Sequence, residues 1–252
     1  MVFYIKPPFH TTHTTLAIKE CITRKFGFNG LKQGELCFTL SWRRMERHVN
    51  IHWKAYLELN SLFCFRQSGF REHHSCQTAL IKSIDECSIN ENKIAGSLCL
   101  DFSKAFDLVD HSLLIHKLKL YNIDTSWFSS YLNKGFQQTD YAGAISDKKE
   151  VISGVPQWSV LGPILFLICV NDLPLSLTST CANIFADDTT IGTSSRSIDN
   201  TLVENLTTDL QNVLSWCNSN NMSLKVSQTK LMYISSRHKQ QILANCDHDI
   251  SI

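Results

Sequence analysis

The sequence predicts a mixed fold, α/β or α+β, because short strand-like segments alternate with long helical ones. Residues 94–102 form a short apolar run that leads into an acidic residue, Asp101, as a buried central strand would. Residues 182–193 resemble two short strands joined by an acidic turn. Apolar residues at 202, 206, 210, 213 and 217 then predict a strongly amphipathic helix.

The other elements follow in chain order. Apolar residues at helical spacing predict a helix over about residues 45–62, with Val49 and Trp53 on one face. A second helix is predicted over 74–89, with one apolar stripe formed by Cys76, Leu80, Ile84 and Cys87. Asp110 is placed to cap the helix after the central strand. Residues 151–157 are predicted to be extended, and Pro163 fits the first turn of the helix that follows. Residues 1–44 show no sustained period, so their structure stays open.

The composition excludes several classes of protein. With 252 residues, 43% of them apolar and 19% charged, the chain suits one globular domain or slightly more, and it is not globally disordered. The longest run without charged or strongly polar residues spans 11 positions, 160–170, against about 20 for a membrane helix. Residues 1–13 lack the apolar core of a secretory signal. We therefore expect an intracellular chain without membrane contact, nuclear or cytoplasmic.

Cysteine spacing and charge add two expectations. The ten cysteines include no CxxC motif, which favours reduced, mostly buried thiols. Residues 1–75 carry 11 Lys and Arg against 5 acids, whereas residues 76–252 carry 13 against 18. Such a division suits a cationic surface for phosphates and an acidic pocket for metal ions. Chance clustering of solvated charges is the alternative.

Asp187 and Asp188 are adjacent within an otherwise apolar, strand-like run. Successive strand residues face opposite ways, so a tight turn that carries both acids avoids leaving one of them in the core. Asp101 ends another predicted strand and would complete a group of three carboxylates at one edge of a sheet. Such a group favours neutralisation by Mg²⁺. The alternative is structural: a polar hairpin turn, with Asp101 capping a helix.

Five strings in order resemble the motifs of a reverse transcriptase, and more narrowly those of jockey-like, LINE-type non-LTR retrotransposons. They are QSGFR (67–71), LDFSKAFDLVDH (100–111), SGVPQWSVLGPILFLICVNDLP (153–174), FADDT (185–189) and WCNSNNMSLKVSQTKLM (216–232). The resemblance implies an α+β fold, the fingers and palm of a right-hand polymerase, with an antiparallel palm sheet packed against helices. It implies RNA-directed DNA polymerase activity on an RNA template, a DNA primer and dNTP.

The resemblance also implies domain limits. Residues 1–44 are an unassigned, degraded fingers-like segment, residues 45–237 are fingers and palm, and residues 238–252 are a tail for which disorder is one alternative. Only 15 residues follow Arg237, so we expect the thumb to be largely absent.

The matched motifs imply roles for individual residues. Asp101, the backbone carbonyl of Phe102, Asp187 and Asp188 would hold two Mg²⁺ ions, with Mn²⁺ as an alternative. The three aspartates are the catalytic set in this reading. Phe106 matches the aromatic steric gate that favours dNTP over rNTP, although its plain interpretation is a core residue.

Other matched residues concern the substrates. Gln157 matches the glutamine near the nucleotide and template strand. Arg71 resembles a fingers residue that contacts template or triphosphate, with an ordinary exposed arginine as the alternative. Lys230 would reach the pyrophosphate if its segment is extended.

Two positions depart from the family motifs. Trp158 stands where the family has Gly, and we expect an indole there to block or slow polymerisation. Gln228 occupies the position of the usual Lys, and Lys225 stands where Asn is usual. Besides an active polymerase, the sequence therefore allows a catalytically impaired retrotransposon fragment, or a module that only binds RNA or DNA. A nuclease with paired acids is a weaker alternative.

Overall fold

The structure is a computed structural model that describes residues 39–86, 93–132, 135–137, 140–141, 144–147, 149–155, 159–197 and 200–235. Its helices are α1 (Thr39–Leu59), α2 (Cys76–Glu86), α3 (His111–Leu120), α4 (Ser126–Leu132), α5 (Gly162–Val170) and α6 (Asn200–Ser219). Its strands are β1 (Ile94–Leu100), β2 (Gly135–Gln137), β3 (Asp140–Tyr141), β4 (Ala144–Ile145), β5 (Lys149–Val151), β6 (Cys181–Phe185), β7 (Asp188–Ser195) and β8 (Lys230–Ile234). The chain divides into two compact units, residues 1–63 with 110–169 and residues 64–109 with 170–252.

The first unit is built mainly from helices. The stripe predicted on α1 is confirmed, because Val49, Trp53 and Leu57 are all buried. The Trp53 ring stacks on Phe128 of α4, with ring centroids 4.0 Å apart. Asp110 caps α3 as predicted, since its carboxylate accepts a hydrogen bond from a backbone amide in the first turn.

Two buried charged residues of this unit are bonded to its other elements. Both oxygens of Glu46 accept hydrogen bonds, one from the Tyr131 hydroxyl at 2.8 Å and one from the Val160 amide at 3.1 Å. Burial, followed by the negative charge of Glu46, raises the pKa of Tyr131. The Lys117 ammonium donates to the Cys169 carbonyl near the end of α5 at 2.6 Å. These bonds satisfy groups that would otherwise be costly to bury.

The second unit contains a four-stranded antiparallel sheet in the order β6-β7-β1-β8. Helix α6 packs against β1 and β7. A Cβ atom on Gly96 of β1 would meet side-chain carbons of Leu202 and Leu206 at 2.9 and 2.8 Å. The sheet therefore approaches α6 closely at this glycine.

Several sequence expectations need correction. Helix α1 begins at Thr39 rather than near residue 45, and α2 runs from Cys76 to Glu86, while residues 87–92 lie outside the described part. Cys76 and Leu80 on α2 are exposed, so this part of the predicted apolar stripe is not buried. The extended segment 151–157 is described only to residue 155, with Val151 ending β5.

The cysteines are free thiols where the structure describes them. Of these six, Cys169 and Cys217 are buried and the other four are half-buried or exposed, so most of the described thiols are not buried, contrary to the expectation. Cys76 and Cys181, the first residues of α2 and β6, are exposed. None of the helices in the described part of the chain has the length and apolar composition that a membrane-spanning helix requires.

Candidate active site

The adjacent acids lie in a tight hairpin, as the sequence predicts. Strands β6 and β7 are joined by a loop of two residues, Ala186 and Asp187, because Phe185 pairs directly with Asp188. Ala186 has a φ of 60°, a backbone conformation that costs an alanine free energy and that the turn requires. The loop thus places Asp187 at the tip and Asp188 at the first position of β7.

Asp101 joins these acids through the pairing of β1 with β7. Leu100 is the last paired residue of β1 and lies opposite Thr189, so the same register places Asp101 opposite Asp188. The pKa of Asp188 is raised, first by its partial burial and then by the negative charges of Asp187 and Asp101. The charges of Asp187 and Asp101 therefore act on Asp188 at one end of the sheet.

Lys225 pairs with Asp101, and no sequence pattern predicted this contact. Its ammonium lies 3.1 Å from the Asp101 carboxylate, and its backbone amide donates to the Asp101 carbonyl at 2.8 Å. Both side chains are about two-fifths exposed, at 41% and 39%. The positive charge of Lys225 partly offsets the negative charge of the acidic group.

The acidic group offers the chemistry that a divalent metal ion needs. Three carboxylates offer the oxygen ligands that Mg²⁺ and Mn²⁺ prefer, and the raised pKa of Asp188 reflects excess negative charge that a cation would relieve. Across the described residues, however, no group of three or more His, Cys, Asp and Glu side chains is arranged so that it could hold a metal ion. The Lys225 ammonium contacts one of the two Asp101 oxygens, Oδ2.

Phe102 extends the strand beyond Asp101. It forms an antiparallel bridge with Leu224, and the two flanking hydrogen bonds use the Asp101 carbonyl and the Ser103 amide rather than the Phe102 carbonyl. Its buried ring meets Trp216 of α6 edge-to-face, with centroids 6.4 Å apart. The side chain thus fixes the segment to the core.

Phe106 lies in the turn after Phe102 and is half-buried. Its ring meets the partly exposed ring of Phe70 edge-to-face at 6.4 Å. Arg71 follows Phe70, and its Nη1 atom donates to the carbonyls of Cys64 and Gln67, each at 3.1 Å. Arg71 therefore has a structural role in folding its own loop, and its template contact stays a prediction.

Lys230 lies in an extended segment, which is the condition for its predicted contact with the pyrophosphate. It begins strand β8 and pairs with Cys99, two residues before Asp101 on β1, so its position belongs to the same face of the sheet. The side chain is exposed. Gln228 ends a 3₁₀ turn at Val226–Gln228 and is also exposed. Gln157 and Trp158 lie outside the described residues.

Comparisons with known proteins identify the family of the chain. A family described as reverse transcriptase (RNA-dependent DNA polymerase) matches residues 13–244. A probable RNA-directed DNA polymerase from transposon X-element of Drosophila melanogaster is 31% identical over 134 residues, covering 51% of this chain and 15% of that protein. The RNA-directed DNA polymerase from mobile element jockey of the same fly is 32% identical over 148 residues, covering 52% and 16%. The chain thus spans about a sixth of the length of these relatives.

A solved structure resembles the fold. It is apo telomerase from Candida tropicalis, truncated from its C-terminal domain, with a TM-score of 0.52 and 9% sequence identity. The match covers 84% of this chain and 46% of that chain. At this identity the likeness concerns the fold alone.

Proposed function

Because the chain belongs to the reverse transcriptase (RNA-dependent DNA polymerase) family, as a jockey-like domain with an α+β fingers and palm fold, we propose that it catalyses RNA-directed DNA synthesis. In this reaction the 3′-hydroxyl of a DNA primer attacks the α-phosphate of a dNTP paired with the RNA template. A bond forms between the primer oxygen and that phosphorus, and pyrophosphate leaves.

One observation carries the proposal. The pairing of β1 with β7 places Asp101 opposite Asp188, next to Asp187 in the hairpin loop, and their charges raise the pKa of Asp188. A fold stabilised for its own sake would separate or neutralise such charges. Two Mg²⁺ ions, or Mn²⁺ as an alternative, would be held by the three aspartates and the Phe102 carbonyl, and would activate the hydroxyl and neutralise the leaving pyrophosphate.

The remaining residues would position the substrates. Phe106 would lie beneath the sugar of the incoming nucleotide, where its ring excludes a 2′-hydroxyl. Lys230, exposed on the face that also carries Asp101, would bind the negative charge of the pyrophosphate. Gln157 and Arg71 would contact the nucleotide and the template strand. Catalysis in this scheme depends on orientation and electrostatics.

Incorporation of dTTP on poly(rA) primed with oligo(dT) tests the proposal. We expect extension that requires Mg²⁺ or Mn²⁺ and that is lost in Asp101→Asn. An exposed acid outside the site, Asp85, provides the matched control, since Asp85→Asn should extend primers like the unchanged chain. Extension by Asp101→Asn at the unchanged rate would contradict the assigned site.

A second candidate is a catalytically impaired fragment that only binds RNA or DNA. The ion pair between Lys225 and Asp101 favours it, because a cation of the protein itself already contacts the proposed metal ligand. Trp158 in place of the family's Gly favours it as well. If this candidate is correct, the unchanged chain should bind RNA in a salt-dependent manner without extending primers, and Trp158→Gly should increase extension.

A further inference from the structure

The segment 66–69 pairs with β6, the outer strand of the hairpin formed by β6, β7 and the Ala186–Asp187 loop. This hairpin is called the acidic hairpin below. Gln67 forms a parallel bridge with Ile184 of β6. The Ser68 amide donates to the Ile184 carbonyl at 2.8 Å, and the Ile184 amide donates to the Arg66 carbonyl at 3.0 Å. The segment thus pairs with β6 beside the loop that carries Asp187.

The side chain of Gln67 bonds the loop itself. Its Oε1 atom accepts hydrogen bonds from the Ala186 amide at 3.0 Å and from the Gly69 amide at 2.7 Å. Its Nε2 atom donates to the Ala186 carbonyl at 3.3 Å. Gln67 is only 1% exposed, so water does not compete for these bonds. Both backbone polar groups of Ala186 are therefore held by one buried amide.

Gly69 allows this contact at close range. A Cβ atom on Gly69 would lie 2.1 Å from the Ala186 nitrogen and 2.7 Å from its Cα atom, distances that real side chains do not adopt. The glycine is therefore needed for the loop to approach the segment. The close approach at Gly69 is an observation independent of the Gln67 hydrogen bonds, and both show that the segment packs directly against the loop.

We propose that Gln67 is a positioning residue that fixes the Ala186–Asp187 loop and thereby sets the direction of the catalytic carboxylates. Ala186 has a φ of 60°, which an alanine leaves readily unless its surroundings hold it. A side chain that bonds both the amide and the carbonyl of Ala186 restricts the rotation of the two peptide units on either side of the Ala186 Cα atom, and with it the position of Asp187. This inference rests on the proposed function, because the loop matters for catalysis only if its acids are catalytic.

The test is Gln67→Met, which keeps the length of the side chain and removes its donor and its acceptor. We expect kcat for primer extension to fall by about 100-fold with little change in the KM for dNTP, since misplacement of reacting groups affects the chemical step. We also expect the Ala186 amide to exchange its hydrogen at least about 10-fold faster, as measured by NMR.

The matched control is Asn220→Leu, which removes another buried amide of the same unit. Asn220 is 8% exposed and donates from Nδ2 to the Trp216 carbonyl at 2.8 Å, at the end of α6. Its loss should lower the thermal midpoint in the same manner as Gln67→Met. A merely structural role for Gln67 would give both variants equal extension activity per folded molecule, and this result would overturn the proposal.

Failure of the inference is distinguishable from failure of the proposed function. If the unchanged chain extends primers and Gln67→Met leaves kcat and the exchange of the Ala186 amide unchanged, the inference is wrong and the function stands. If the unchanged chain is inactive, the function fails, and the exchange rates alone decide whether Gln67 holds the loop. If Gln67→Met does not fold, exchange in the unchanged chain decides. An Ala186 amide that exchanges as fast as in an unstructured peptide contradicts the inference.

Discussion

Asp209 and the acidic hairpin carry carboxylates within the same compact unit, but their surroundings are opposite. Asp209 is 0% exposed and lies on α6. Its two oxygens accept hydrogen bonds from five groups: the amides of Thr178, Ser179 and Thr180, the Thr178 hydroxyl and the Asn212 side chain. Asp188 is exposed and faces two further carboxylates.

The pKa values of the two acids move in opposite directions. Burial disfavours the ionised form of Asp209, but the hydrogen bonds from Thr178 and its neighbours outweigh it and lower the pKa of Asp209 to about 2. Partial burial and the neighbouring acids raise the pKa of Asp188. A carboxylate whose oxygens all accept hydrogen bonds stabilises the fold. Carboxylates that repel one another lower the stability, and a role in binding or catalysis explains why they lie together.

The largest expected effect is on activity at the hairpin. Asp188→Asn should lower primer extension by about 1,000-fold, because the site loses one of its charged groups. Its thermal midpoint should stay unchanged or rise, because two neighbouring acids lose a repulsive partner. Steady-state extension and thermal unfolding of the same preparation measure both. If Asp188→Asn loses activity only in proportion to its unfolded fraction, Asp188 acts on stability like Asp209, and the contrast between the two acids is contradicted.

The next effect is on stability at Asp209. Asp209→Asn should lower the free energy of unfolding by about 2 kcal/mol, because a neutral amide cannot accept the charge-assisted bonds that the carboxylate accepts. Urea unfolding measures the change, with Asp85→Asn as the exposed control, for which about 0.5 kcal/mol or less is expected. Extension activity per folded molecule should be retained. Loss of activity without loss of stability would assign Asp209 to the site instead.

The pH dependence of stability gives a smaller effect with a defined sign. The pKa of Asp209 lies at about 2 when folded, against 3.8 as its ordinary value, so its contribution is complete above about pH 4 and is lost as the pH falls towards 2. Urea unfolding between pH 5 and 2 should therefore show the stability difference between the unchanged chain and Asp209→Asn shrinking. A stability difference that stays constant from about pH 5 to about pH 2 would mean that the ionised Asp209 carboxylate is not what stabilises the unchanged chain.

The smallest effect concerns the ion pair at Asp101. Lys225→Met should strengthen Mn²⁺ binding by less than about 5-fold, because the exposed pair contributes little and the metal no longer competes with an ammonium group. Calorimetric titration with Mn²⁺ measures this. Lys82→Met is the matched control, since the Lys82 ammonium contacts the carbonyl and ring of Phe65 rather than an acid. Equal affinities in all three proteins would remove Lys225 from the proposed site.

Local elements were predictable from the sequence because each depends on nearby residues. The hairpin around Ala186 and Asp187, the cap at Asp110 and the buried stripe of α1 are all present. The predicted reverse transcriptase family is also confirmed, because several motifs in a fixed order are specific to one family. The predicted stripe of α2 failed in part, because burial depends on what covers a helix and not on its period alone.

The contacts that complete the site were not predictable, and their separation in sequence explains why. Gln67 reaches Ala186 across 119 positions, and Lys225 reaches Asp101 across 124. A glutamine before a serine and a glycine gives no sign of a distant partner. Arg71, expected from its motif to contact the template, bonds two carbonyls of its own loop.

The sequence by itself determined the kinds of elements, the acidic turn and the family, because patterns of period and motif are local or shared with relatives. Only the tertiary structure decided that β1 lies between β7 and β8, with Asp101 opposite Asp188. It alone also placed Gln67 against the loop and Lys225 on Asp101. The physical reason is that strand pairing and side-chain bonding join distant segments through the packing of the whole unit, which no local pattern encodes.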